Sequence, residues 1–162
     1  MKIIHTIVYP LSQLSDSAKE KAREWYRSGI DYEWYESTYD DAERIGLKII
    51  AFEIERYCEG NFTGSPKTTA NLIISEHGAE CETAKTAKLY LKALEEIYSL
   101  EKSEDEQENC LETATEEFLT SLLEDYRIML GKEWEYLNSD EQVDESILAN
   151  EYTFTADGVR FG

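Results

Sequence analysis

A chain of 162 residues that is 41% hydrophobic can bury a core without help from disulfides or a structural metal. Its sixteen Lys and Arg face thirty-five Asp and Glu, a net charge of −19 that repels phosphate backbones and anionic membranes and argues against direct DNA or RNA binding. Eleven Tyr, five Phe and three Trp oppose disorder, and apolar runs such as KIIAF are too short to span a bilayer.

Residues 2–8, rich in Ile and Val and followed by Pro10, predict a strand. They lack a small-residue cleavage site, so they read as strand and not as a signal peptide. LSDSAKEKAREWYRSG then reads as a helix capped by Ser15 and stopped by Gly29, with Ala18, Ala22, Trp25 and Tyr26 on one face. Asp31 is the predicted cap of a second helix running to Gly46, with Tyr35, Tyr39, Ala42 and Ile45 along one side. Trp25, Tyr35 and Tyr39 lie on these apolar stripes and are expected to form the seam between the two helices. LKIIAFEIER switches to period two, Ile50, Phe52 and Ile54 alternating with Ala51, Glu53 and Glu55. A turn at CEGN is expected to fold FTG back as its hairpin partner.

Ser65 and Pro66 mark the start of a third helix, Pro66 at the position where its missing N–H costs nothing. From about Thr83 a long helix places Ala87, Leu91, Leu94 and Tyr98 on one stripe. Leu111, Ala114, Phe118, Leu122, Tyr126 and Met129 mark another, so the two predict an antiparallel helical hairpin. Between them, residues 101–109 read as an acidic linker or an exposed helix extension. Ser139 and Gln142 have capping-box spacing before a short helix, and EYTFTADGVRF reads as strand, Asp-Gly turn and strand. The fold class expected is α+β: a helix-rich single domain over 1–162 with a small, mostly antiparallel sheet built from both chain ends and the 47–56 strand.

No reaction class stands out. A thiol nucleophile would pair Cys81 with His77 across a predicted helix end, without a visible orienting group. A zinc site would need Cys58, His77, Cys81 and Cys110 to converge through the fold, since no Cys-x-x-Cys or His-x-x-x-His pair exists. Three irregularly spaced cysteines read more simply as reduced thiols. EGNFTGSPK lacks the Gly-Lys-Ser/Thr order of a phosphate loop. No cofactor, metal or catalytic residue is expected, and the chain is read as a non-enzymatic protein.

The charge map is more informative. Residues 101–162 carry four basic and eighteen acidic side chains, most of the excess. If 101–117 is helical, Glu101, Glu104 or Asp105, Glu108, Glu112 and Glu116 share a stripe. Four residues of helix rise about 6 Å, close to the phosphate spacing along a nucleic-acid strand, so such a ridge can enter a groove built for nucleic acid. The competing reading is an ordinary solvated helix face. A second candidate surface is the acidic-aromatic set Asp31, Tyr32, Glu33, Trp34 and Glu36, where rings anchor and carboxylates meet a basic partner. The partner expected is a protein or ribonucleoprotein with a basic groove, not nucleic acid itself and not a membrane.

LSDSAKEKAREWYRSGIDYEW, TYDDAERIGLKI, YCEGNFTGS and the closing ILANEYTFTADGVRF resemble a family of small acidic proteins encoded by bacteriophages and prophages, over most of the chain. The resemblance implies a phage setting and the host bacterial cytoplasm, and it transfers no site residues. Its implied roles are inhibition of a host-defence complex, of the anti-CRISPR type or against restriction enzymes, or else an antitoxin or regulator of one basic partner.

Overall fold

In chain order, β1 (Tyr9–Pro10) leads through a single 3-10 turn (Leu11–Gln13) into α1 (Asp16–Ser28). There follow α2 (Glu36–Arg44), β2 (Leu47–Glu53), β3 (Tyr57–Phe62), α3 (Pro66–Glu76), α4 (Glu82–Ser99), α5 (Glu104–Asn138), α6 (Asp140–Ala149), β4 (Thr153–Phe154) and β5 (Arg160–Phe161). This computed structural model describes residues 1–162, and its class is α+β, helix-rich with short antiparallel strands. The chain divides into two units, Met1–Trp34 with Lys132–Gly162, and Tyr35–Gly131.

The first unit is built from both chain ends. Ser15 Oγ accepts from the Ala18 amide and opens α1, which ends at Gly29 as its sequence implies. Its small face, Ala18 and Ala22, packs with Leu11, Leu14, Val143, Ile147 and Phe154 in one core. Ser139 caps α6 by accepting from the Gln142 amide, but the reciprocal half of a capping box is missing. The Gln142 side chain instead accepts from the Tyr136 hydroxyl and donates to Ser146. Arg23 clamps Asp144 along one edge of its guanidinium, Nε donating to Oδ1 at 2.7 Å and Nη2 to Oδ2 at 2.8 Å, joining α1 to α6.

Strands β1, β4 and β5 form a three-stranded antiparallel sheet in the order β1-β4-β5. The predicted strand at 2–8 does not form. Tyr9 pairs with Phe154 and Pro10 with Thr153, and beyond Phe154 the chain already turns, so residues 2–8 have no ladder to join. The Asp-Gly turn does form between β4 and β5, with Gly158 at φ +88°.

The second unit centres on Ala42, Ile45, Leu47, Ile73, Ala87, Leu94, Phe118, Leu122 and Tyr126. Its helix α2 starts at Glu36, not at Asp31: Asp31 Oδ1 accepts from the Glu33 amide and its carbonyl from the Trp34 amide, a single turn that the helix does not continue. Strands β2 and β3 pair as a separate antiparallel hairpin, so the 47–56 segment does not join the sheet of the chain ends. The return strand includes CEGN, the turn falling before it at 54–56. A bulge between Ile49 and Ala51 breaks the alternation: Leu47 and Ile49 are buried and Ile50 is exposed.

Helices α4 and α5 form the long hairpin. Thr86 meets Asp125, and Tyr90 meets Phe118 and Thr115, which fixes them as antiparallel. The buried stripe of α5 is Ala114, Phe118, Leu122, Tyr126 and Leu130, a strict four-residue repeat that leaves Met129 exposed. On α4 the buried side is Ala84, Ala87, Tyr90 and Leu94, while Tyr98 stands in solvent.

The aromatic seam expected between the first two helices is replaced by two others. Trp25 meets Tyr152 and Phe154 edge-on at 5.2 and 5.8 Å, and the Arg160 guanidinium lies over the Trp25 and Tyr152 rings. Tyr35 and Tyr39 pack on each other and on Phe52 of β2. Each ring thus serves the core of its own unit.

Candidate protein-binding surface

Ser103 sets the start of α5: its Oγ accepts from the Glu106 amide and its carbonyl from the Gln107 amide. Glu104, Asp105 and Glu106 then occupy the first turn, where negative charge complements the helix dipole. Residues 101–109 are therefore mostly exposed helix. Glu101 precedes the helix and drops out of the stripe predicted for it, because Ser103 captures the cap.

Glu108, Glu112 and Glu116 recur every four residues, two positions before half-buried Cys110 and buried Ala114 and Phe118. Two residues at about 100° each turn them by about 200°, which is about 160° from the buried stripe the shorter way round and so on the opposite face. Glu104, Asp105, Glu108, Glu112 and Glu116 are all exposed, and none makes an ion pair. From 103 to 126 the sequence has nine carboxylates and no Lys or Arg. Leu111 and Thr115 line a shallow open depression beside Glu108, Glu112 and Glu116.

The charge downstream is of another kind. Arg127 grips Glu124 through Nε at 2.8 Å and Nη2 at 2.5 Å, and holds its carboxyl below the usual range. Asp125 is half-buried and accepts from Thr86 Oγ1 at 2.6 Å; burial pushes its carboxyl up despite that bond. The open run of carboxylates therefore ends at Glu117.

The acidic-aromatic segment is narrower than its composition implies. Tyr32 is 87% exposed, and Asp31 and Glu33 are exposed beside it. Trp34 is half-buried against Trp134, ring centroids 5.2 Å apart. Glu36 is exposed at the first turn of α2 in the other unit. Nothing in the local spacing announces the Trp34–Trp134 pair, whose members lie a hundred positions apart.

His77 and Cys81 do not form a dyad. The imidazole Nδ1 lies 2.7 Å from Thr83 Oγ1, and Nε2 lies 3.4 Å from Asp41 Oδ2, within ion-pair reach but off a hydrogen-bonding line. Asp41 Oδ2 accepts from the Tyr126 hydroxyl at 2.9 Å, and burial together with Asp41 pushes that phenol well above its ordinary range. Asp41, His77, Thr83 and Tyr126 thus tie α2, α4 and α5 together inside the second unit. The three cysteines are free, and no three His, Cys, Asp or Glu side chains gather as a metal site. No helix is long and apolar enough to cross a membrane.

Set beside known proteins, the chain matches no family model, no curated protein and no solved structure.

Proposed function

We propose that the protein is a non-enzymatic binding module that sets the carboxylate face of α5 into a basic groove of a nucleic-acid-handling protein or ribonucleoprotein. The observation that carries this is the row Glu104, Asp105, Glu108, Glu112 and Glu116, exposed on one continuous helix without any internal cation. Neutralising ion pairs are formed elsewhere, by Glu20, Glu124, Asp140 and Asp144, so their absence here leaves the charge available to a partner. The specific form implied by the phage-like sequence is a host-defence inhibitor acting in the bacterial cytoplasm, against a CRISPR complex or a restriction enzyme.

The test is affinity capture from bacterial host lysate with wild type and with Glu104, Glu108, Glu112 and Glu116 all changed to Gln. A basic nucleic-acid-handling protein retained by wild type, released by salt and lost in the variant supports the reading. Capture that is equal for both chains removes the carboxylate row from the mechanism.

One observation favours a second reading, an antitoxin or regulator of one basic partner: the nearly complete exposure of Tyr32 between Asp31 and Glu33. Under that reading Tyr32→Ala abolishes capture while the four-Gln variant retains it.

A further inference from the structure

The α4–α5 hairpin is propped open. Tyr90 and Phe118 stack with centroids 4.3 Å apart and planes 12° from parallel, two large rings that set the helix separation. Towards the connection the helices are faced by Ala93, Ile97 and Leu100 on one side and by Asn109, Cys110, Thr113 and Ala114 on the other, no ring among them. An open groove of about 400 Å³ results, and a smaller one of about 170 Å³ adjoins it, with Ala93, Ala114 and Glu117 common to both. Leu89 and Leu100 stand largely exposed on the lining at either end, 70% and 52%. Their separation along α4 is about 16 Å, or three helical turns.

The floor is apolar and the rim is acidic. Glu96 and Glu117 are exposed and make no ion pair. Lys102 is the sole basic residue from 93 to 126, and its ammonium donates to Cys110 Sγ at 3.2 Å on the groove wall. The chain's own sequence thus supplies one cation at this place. An anionic ligand meets Glu96 and Glu117 against that single ammonium, and a second copy at net −19 brings the same sign of charge.

We infer that this groove docks an amphipathic helix of a partner protein, its Leu- or Ile-type anchors in the space below the Tyr90–Phe118 stack and its Lys or Arg residues against Glu96 and Glu117. The i, i+3/i+4, i+7 anchors by which an amphipathic helix is read span about 10 Å, two turns, and fit within the length of the groove. The inference goes beyond the carboxylate row and does not rest on it, since Glu96 and Glu117 lie outside that row.

The probe is a fluorescein-labelled two-heptad peptide of the repeat LKKLLKL, followed by anisotropy at near-physiological salt. Wild type is expected to bind it. Thr113→Trp, which fills the groove, and the double variant Glu96→Lys with Glu117→Lys are each expected to weaken binding about tenfold or more. One control changes the net charge as much as the double variant does, Glu133→Lys with Glu135→Lys, and it is expected to stay within about threefold of wild type. A peptide with Ser in place of Leu is expected to bind at least about tenfold more weakly. Equal weakening by the groove variants and the charge control overturns the inference, because net charge alone then explains binding. So does an unaltered affinity in Thr113→Trp, or no binding by wild type. Sedimentation showing a wild-type oligomer that Thr113→Trp dissociates also overturns it, assigning the groove to a second copy. Loss of host capture in the four-Gln variant with peptide binding kept separates the two surfaces.

Discussion

Removing charge from α5 is expected to make the protein more stable, a result that a merely structural role for those carboxylates does not produce. Consider Glu108, Glu112 and Glu116 changed together to Gln, with Glu104 left at the first turn, where its charge is favourable. Three like-charge pairs at i, i+4 disappear: 104–108, 108–112 and 112–116. Each costs about 0.2–0.5 kcal/mol on an exposed helix, so the total relief is about 0.6–1.5 kcal/mol. Gln and Glu have similar helix propensity, and no Lys or Arg partner is lost. At about 2–4 °C per kcal/mol for a chain of this size, the melting temperature rises by about 1–6 °C. The assay is thermal unfolding by circular dichroism in low salt and again in 1 M NaCl, where a Debye length of about 3 Å screens charges about 6 Å apart. A fall in melting temperature, or a rise that high salt leaves undiminished, refutes the argument. Either outcome means that these side chains make attractive contacts or that repulsion is not the relevant effect.

Gly158→Ala is expected to destabilise the protein by about 2 kcal/mol or more, since φ is +88° and a Cβ there lies 2.3 Å from the Ala18 carbonyl oxygen; a urea midpoint equal to wild type contradicts this. Asp125→Asn tests the buried carboxyl. Its folded-state pKa is raised, first by burial, so the folded chain holds the proton more tightly and stability falls as pH rises from about 4 through the raised value. Asn still accepts from Thr86, so the variant gains on wild type between pH 4 and 7 in urea unfolding, and an unchanged difference at the two pH values counts against it. Iodoacetamide at pH 8 is expected to modify exposed Cys81 first and Cys58 last, because burial pushes the Cys58 thiol up to about 11; peptide mass mapping that finds Cys58 as reactive as Cys81 contradicts this.

What the sequence made legible was local. Ser15, Gly29 and the run between them describe α1 because the cap, the small-residue face and the stop lie within one segment. The Asp157-Gly158 turn and the four-residue repeat through Phe118 and Leu122 are legible for the same reason. Residues 2–8 misled because strand propensity counts only with a partner strand, and β4 offers two residues. Asp31 misled because an Asx turn and a helix cap use the same side-chain oxygen and the same i+2 amide, so the residue marks a turn whether or not a helix follows. The outward aspect of the carboxylate row followed from its phase against the buried stripe. The Trp34–Trp134 pair and the opening beneath Tyr90–Phe118 depend on which residues meet across the fold, and no window of sequence contains both partners.

The assembly of the first unit from both chain ends has a consequence for synthesis. Residues 35–131 are contiguous, so the second unit has all its parts as soon as it leaves the ribosome. The apolar face of α1 must wait for Val143, Ile147 and Phe154. At about 5–20 residues per second, that wait is on the order of ten seconds. Throughout it Leu11, Leu14, Ala18 and Ala22 lack the cover of α6 and β4, while Glu20 already stands within reach of Arg23 and Arg27 on the same helix. Ribosomes that stall before residue 140 therefore present a nascent chain in which the apolar face of α1 is still open to solvent or to other chains.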